Sequence, residues 1–140
     1  MPSVYVDACV LRLAFLAEED DVSELAIQEL DRGDAEFLYS SIVELELIPM
    51  PTKNKREKEL QFFRTFFEAA HRVPCLDDVQ MQALELGGIH GLGACDALHI
   101  SCAIAAGADE FVTAEGFTKG LGQLNEKVIG NTTFRTVRLP

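Results

Sequence analysis

Apolar positions along the chain follow two alternating rhythms. Short β-prone runs are each followed by a longer apolar stretch at helical spacing. The first run, Ser3 to Val6, ends at Asp7, and Ala8 to Ala17 is apolar and long enough for a helix. Asp20 or Asp21 is placed to cap a second helix, where Val22, Leu25, Ala26, Ile27 and Leu30 recur until Arg32-Gly33-Asp34 stops it. These two helices are expected to form a hairpin. Glu36 to Tyr39 is a second strand; Ser40 or Ser41 caps the helix after it, which Pro49 and Pro51 end. Leu60, Phe62, Phe63, Phe66 and Phe67 lie at helical spacing, so these aromatics serve the core or an interface. Val73 to Leu76 reads as extended, Asp77 or Asp78 caps a helix to about Leu86, and Gly87, Gly88, Gly91 and Gly93 mark a loop. Asp96 opens an apolar helix through Ala106 that Gly107 terminates, and Glu110 to Thr113 is a strand running into Ala114-Glu115. Gly120 to Asn131 reads as a turn of helix and a loop, with a last strand over Phe134 to Leu139.

Strands alternating with helices imply a parallel sheet covered on both faces and joined by right-handed crossovers. The expected architecture is a three-layer α/β/α sandwich with four to five parallel strands, wound as in flavodoxin. In such sheets a ligand site lies beyond the carboxyl ends of the strands. With 140 residues, 48% of them hydrophobic, the chain has the size of one domain, residues 1–140. Charges or turn residues interrupt every candidate membrane span, and Met-Pro-Ser-Val-Tyr-Val-Asp has no basic region of a signal peptide. A cytoplasmic location is therefore expected. Cys9, Cys75, Cys95 and Cys102 form no CxxC pair and read as small buried apolar residues.

Net charge is −11, from 23 acids against 12 bases, which opposes general attraction to nucleic acid. A solvated surface accounts for most of these acids. A few change the picture: Asp7, an acid in the helix after the second strand, Asp96 and Glu115 all fall at the end of the sheet where this architecture places a site. Each alone would be a helix cap or turn residue; together they make a carboxylate cluster that a bound divalent cation would neutralise. Asp96 lies in the first turn of its helix, where the dipole favours negative charge. His99 is three residues further on and reads as a hydrogen-bonded, partly buried side chain on an apolar helix. Lys53, Lys55, Arg56 and Lys58 make the one concentrated basic segment.

The segments Val4-Tyr5-Val6-Asp7-Ala8-Cys9, Ser41 to Pro49, Cys95-Asp96-Ala97-Leu98-His99-Ile100 and Gly107-Ala108-Asp109 through Glu115 resemble those of PIN domains, and the similarity covers nearly the whole chain. An Asp-Ala-Leu-His helix followed by Gly-Ala-Asp, an apolar strand and Thr-x-acid is similar to bacterial PIN proteins, including the toxins of VapBC toxin–antitoxin pairs. The resemblance implies a metal-dependent endoribonuclease whose ligands are Asp7, Glu46, Asp96 and Glu115, the last being Glu where the family more often has Asp. Glu44 competes with Glu46, but the two point about 200° apart on a helix. Glu46 has Ile42 and Val43 at i−4 and i−3, and the Glu-Leu-Ile-Pro run fits the family better. Ala8 and Cys9 stand where the family often has small hydroxyl and amide residues, so a hydrogen bond to Asp7 is expected to be missing. Hard oxygen ligands without a matching His or Cys set select Mg2+ or Mn2+. The implied partners are an RNA substrate, an antitoxin protein and a second copy of the chain, the Phe-rich helix supplying the dimer surface. The alternative is a PIN-fold module, weak or inactive in catalysis, that binds protein or RNA.

Overall fold

The computed structural model describes residues 1–140. In chain order the elements are β1 (Ser3–Val6), α1 (Ala8–Leu16), α2 (Asp21–Leu30), β2 (Glu36–Tyr39), α3 (Ser41–Leu47), α4 (Pro49–Lys53) and α5 (Glu57–Ala69). They continue with β3 (His71–Arg72), α6 (Asp77–His90), α7 (Ala94–Ala105), β4 (Glu110–Thr113), a 3-10 turn over Gly120–Leu124, β5 (Val128–Ile129) and β6 (Thr132–Thr136). The six strands form one sheet in the order β3-β2-β1-β4-β6-β5. All neighbours run parallel except β5, which is antiparallel to β6.

Val4, Tyr5 and Val6 are all fully buried. Because successive side chains of a strand point to opposite faces, both faces of the sheet must be covered at β1. Tyr5, Phe111 and Phe134 are register neighbours on β1, β4 and β6 and stack across the sheet at centroid separations of 5.2 and 5.1 Å. Each such buried ring stabilises the fold by on the order of 2–3 kcal/mol. The Phe stripe of α5 also turns inward. Phe63 is fully buried, while Phe62, Phe66 and Phe67 pack on the core beside Phe15, Phe37 and Tyr39.

The α/β class and largely parallel sheet agree with the periodicity, whereas several boundaries move for physical reasons. The sheet has six strands rather than four to five, because β3 and β5 contribute two residues each. Pairing beside β2 occurs at His71 and Arg72, with one more bond from Val73 N–H to the Tyr39 carbonyl. Pro74, which has no N–H, halts the ladder there, so Val73 to Leu76 is not a strand. Pro49 does not finish a helix but starts α4, where a missing N–H costs nothing. Asp77 and Asp78 lie inside the first turn of α6 rather than capping it. That helix runs through Gly87 and Gly88 to His90 and closes at Gly91 in the left-handed region, φ +66°. A Cβ on Gly87 would stand 3.3 Å from that of Ala97, so the glycine lets α6 and α7 approach closely. The last strand is Thr132–Thr136, upstream of its expected position.

Candidate metal centre

Asp7 leaves β1 at its carboxyl end and occupies the N-cap position of α1, yet its side chain caps nothing. The carboxylate is buried and turned sideways. Oδ2 accepts from Thr113 Oγ1 at 2.8 Å and from the Cys9 thiol at 3.2 Å. Cys9 Sγ in turn accepts from the Ala114 N–H at 3.2 Å, so the hydrogen bond expected to be missing beside Asp7 is supplied by sulfur. Burial, followed by the Asp7 charge, pushes the Cys9 thiol far up, so the sulfur stays protonated and donates.

Ser40 caps α3 by accepting from Ile42 N–H at 3.3 Å, and the helix then carries Glu44 and Glu46 to opposite sides. Glu44 pairs outward with Arg72 at 2.7 Å. Glu46 turns inward to His99, its Oε1 accepting from Nε2. His99 is fully buried, its Nε2 also lies 3.5 Å from Asp7 Oδ1, and one ligand atom each from Asp7, Glu46 and His99 falls within 4.8 Å of the others. Burial alone would lower the His99 pKa. The Glu46 hydrogen bond and the charges of Asp7, Glu46 and Asp96 outweigh it and leave the imidazole above its ordinary value.

Asp96 comes from the first turn of α7, which Gly93 rather than Asp96 begins, and Glu115 lies just past β4. The 3-10 turn brings these two together: a Cβ on Gly120 would stand 2.2 Å from Glu115 Oε2 and 3.0 Å from Asp96 Oδ2. Glu115 Oε2 accepts from Leu121 N–H at 2.8 Å. Desolvation, then the Glu115 and Asp7 charges, push the Asp96 carboxyl up to about 6, against the pull of His99 and with a further push from Glu46.

That shift has a defined sign. The folded, metal-free protein holds the Asp96 proton more tightly than the unfolded chain, so its contribution is fully present below about pH 4 and is lost as pH rises through 6. Chelator-treated Asp96→Asn is therefore expected to match the wild type in stability at pH 4. By pH 7 it should be more stable by ~1 kcal/mol, after discounting for solvent screening. Thermal denaturation at the two pH values measures this; an equal or less stable variant at pH 7 would contradict the crowding.

One buried and three partly buried carboxylates gathered from four elements, with no Lys or Arg within ion-pair distance of any of them, are the donor chemistry of a divalent-cation site. The other paired acids, Glu29, Asp34, Glu44, Glu59 and Glu110, all face arginines. A PIN domain family model matches residues 4–116. The chain belongs to the PIN domain family. Among solved structures, it is similar to a chain of the VapBC2 complex of Rickettsia felis, bound to a DNA fragment from its promoter. That match has 21% identity and a TM-score of 0.67 over 96% of this chain and 98% of that one. The DNA-bound VapBC of Salmonella typhimurium aligns at 14% identity and TM-score 0.65 over 99% and 100% of the two chains. The sarcin–ricin loop cleaving toxin VapC20 of Mycobacterium tuberculosis aligns at 14% and 0.62 over 77% and 86%. No curated protein matches the chain significantly.

Around this PIN-domain site the structure adds residues that sequence reasoning left out or gave a minor part. Thr113 contacts Asp7 itself, and its Oγ1 also accepts from Glu115 N–H at 3.3 Å. Arg12 of α1 donates to the Glu46 carbonyl at 3.1 Å, which sets an exposed cation beside the acidic cluster. The Thr-x-acid spacing was a usable signal for Thr113. Nothing local marked Arg12 or Leu121, whose roles depend on contacts across elements.

Proposed function

We propose that this PIN domain is a divalent-cation-dependent endoribonuclease of the VapC toxin type. Asp7, Glu46, Asp96 and Glu115 would hold Mg2+ or Mn2+, and residues 1–140 act as a single domain. One observation carries the reading: these carboxylates are crowded together with His99 but with no lysine or arginine in ion-pair distance, whereas the acids that do form ion pairs elsewhere, Glu29, Asp34, Glu44, Glu59 and Glu110, all pair with arginine. A bound divalent cation would offset the repulsion and desolvation that push the Asp96 carboxyl up. When bound, divalent metal supplies an acidified water and neutralises charge on the phosphate.

The chain's own residues do the rest. Thr113 and Cys9 fix Asp7 by donating to one oxygen, leaving Oδ1 turned to the cluster. Leu121 N–H steadies Glu115, whose longer side chain would otherwise sample more rotamers. Exposed Lys53, Lys55, Arg56 and Lys58 offer RNA phosphate contacts on a chain that otherwise repels them. Calorimetric titration with Mg2+ and Mn2+, alongside cleavage of a mixed RNA pool with and without metal, tests the proposal. Binding with cleavage supports it, binding without cleavage points to a catalytically weak PIN module, and no binding removes the reading.

The chain acts as a homodimer, and the face we assign to this is on α6 rather than the Phe helix, which packs inward. Met81, Leu84 and Ile89 are 67, 75 and 66% exposed. Beside them Gly88, Leu92 and Leu98 line a groove of about 700 Å³. Projections and a groove on one face allow a two-fold contact in which each copy fills the other. Light scattering is expected to give twice the chain mass, and Leu84→Glu the monomer mass; a monomeric wild type would remove the dimer. An antitoxin peptide placing an arginine among the carboxylates would silence the site. The VapBC complexes similar in fold support such a partner.

A further inference from the structure

Ser40, Tyr5 and His99 form a buried chain of hydrogen bonds that leads from the core to the site. Tyr5 Oη lies 2.7 Å from Ser40 Oγ and 2.8 Å from His99 Nδ1, and all three residues are fully buried. The imidazole's other nitrogen reaches Glu46 and faces Asp7. This is the one side chain that touches both carboxylates, which come from the start of α1 and from α3. Tyr5 itself is fully buried, stacked on Phe111 and set edge-on to the His99 ring at 5.7 Å.

We infer that His99 is the positioning residue of this site, its ring oriented by Tyr5 and Ser40 so that Nε2–H always points at Glu46. The inference rests on the metal-dependent reading above. A carboxylate can only accept, so Nε2 must be the donor in that bond. A hydroxyl both donates and accepts, so Tyr5 satisfies Nδ1 whether or not that nitrogen carries a proton. The ring therefore has no reason to flip in either state. Holding one Glu46 oxygen leaves its second oxygen for a cation, and the partly exposed Glu46 side chain, 32% accessible, is the one that needs such restraint. Groups that orient a metal ligand in this way change metal affinity by roughly 10–100-fold.

The test uses the full chain with Mn2+ alone as probe. Tyr5→Phe keeps the ring stack and removes only the hydroxyl, His99→Leu removes the donor, and His99→Gln restores an amide donor. Circular dichroism reports folding and calorimetry reports Mn2+ affinity. Expected are a loss of about 10-fold for Tyr5→Phe, up to 100-fold for His99→Leu, and partial recovery in His99→Gln. In metal-free wild type, a slowly exchanging imidazole Nε2–H proton resonance is expected. It should vanish in His99→Gln and broaden in Tyr5→Phe. If wild type binds Mn2+ and the folded Tyr5→Phe and His99→Leu variants bind it equally well, the histidine is packing alone and the positioning role is overturned. If wild type binds no Mn2+, the parent reading and this inference fall together, which is a different signature.

Discussion

Asp7→Asn is expected to abolish metal-dependent RNA cleavage, by on the order of 10³-fold or more, while the protein stays folded. The size follows from removing a charged ligand at the centre of the cluster. A loss of about 4 kcal/mol in transition-state stabilisation gives such a factor. The fold should survive because asparagine has nearly the same shape and the Asp7 N–H keeps its 3.0 Å bond to the Val112 carbonyl. The asparagine oxygen can still accept from Thr113 or Cys9, and one fewer negative charge faces Asp96. Calorimetry should show Mg2+ and Mn2+ affinity reduced at least 100-fold, with Asp96→Asn adding to the loss. Glu44→Gln is the internal control: Glu44 pairs with Arg72 on the other side of α3, so metal affinity and cleavage are expected to be unchanged. Full activity in Asp7→Asn, or equal loss in Glu44→Gln, would remove the assignment of the ligands.

Gly122→Ala is expected to destabilise the protein by ~3 kcal/mol, lowering Tm by roughly 10 °C. Its Cβ would lie 1.9 Å from the Gly116 carbonyl oxygen and 2.8 Å from that of Glu115. Both obstacles are backbone, so no side chain can swing aside and the 3-10 turn must lift away from the exit of β4. Lifting it also breaks the bond from Leu121 N–H to Glu115, so metal affinity should fall with stability. Gly120→Ala separates the two effects. Its Cβ would strike the Glu115 carboxylate, a flexible group, at 2.2 Å, and φ is +43°. A stability loss of ~1 kcal/mol is expected with a clear drop in metal affinity. Thermal denaturation and calorimetry on both variants decide; a Gly122→Ala protein as stable as wild type would contradict the close packing of this turn.

Much of the candidate site was visible in the chain because its parts are punctuation. Asp7, Asp96 and Glu115 each stand where a short apolar strand meets a helix or turn, and such junctions repeat along the sequence. The choice of Glu46 over Glu44 rested on helical phase, and the two do face opposite partners, His99 and Arg72. What escaped was second-layer chemistry. His99 looked like an ordinary core histidine, and in burial it is one; only the arrival of Glu46 and Asp7 at its Nε2 gives it a task. Cys9 counted as a loss beside Asp7 because the family often has a small hydroxyl or amide residue there, yet the strand end carrying Thr113 and Ala114 surrounds its thiol with partners.

Local rules governed what the sequence by itself determined: alternating strands and helices, hence an α/β sheet with acids at its carboxyl end, because period and capping depend on near neighbours. The tertiary structure decided the rest. It set how far α6 runs, since Gly87 lies against Ala97 of α7, and where the last strands pair. It turned the Phe helix inward and left the α6 face exposed. It also joined Ser40, Tyr5, His99 and Glu46 into one chain. These features depend on contacts between residues far apart in sequence, whose energies no local pattern contains.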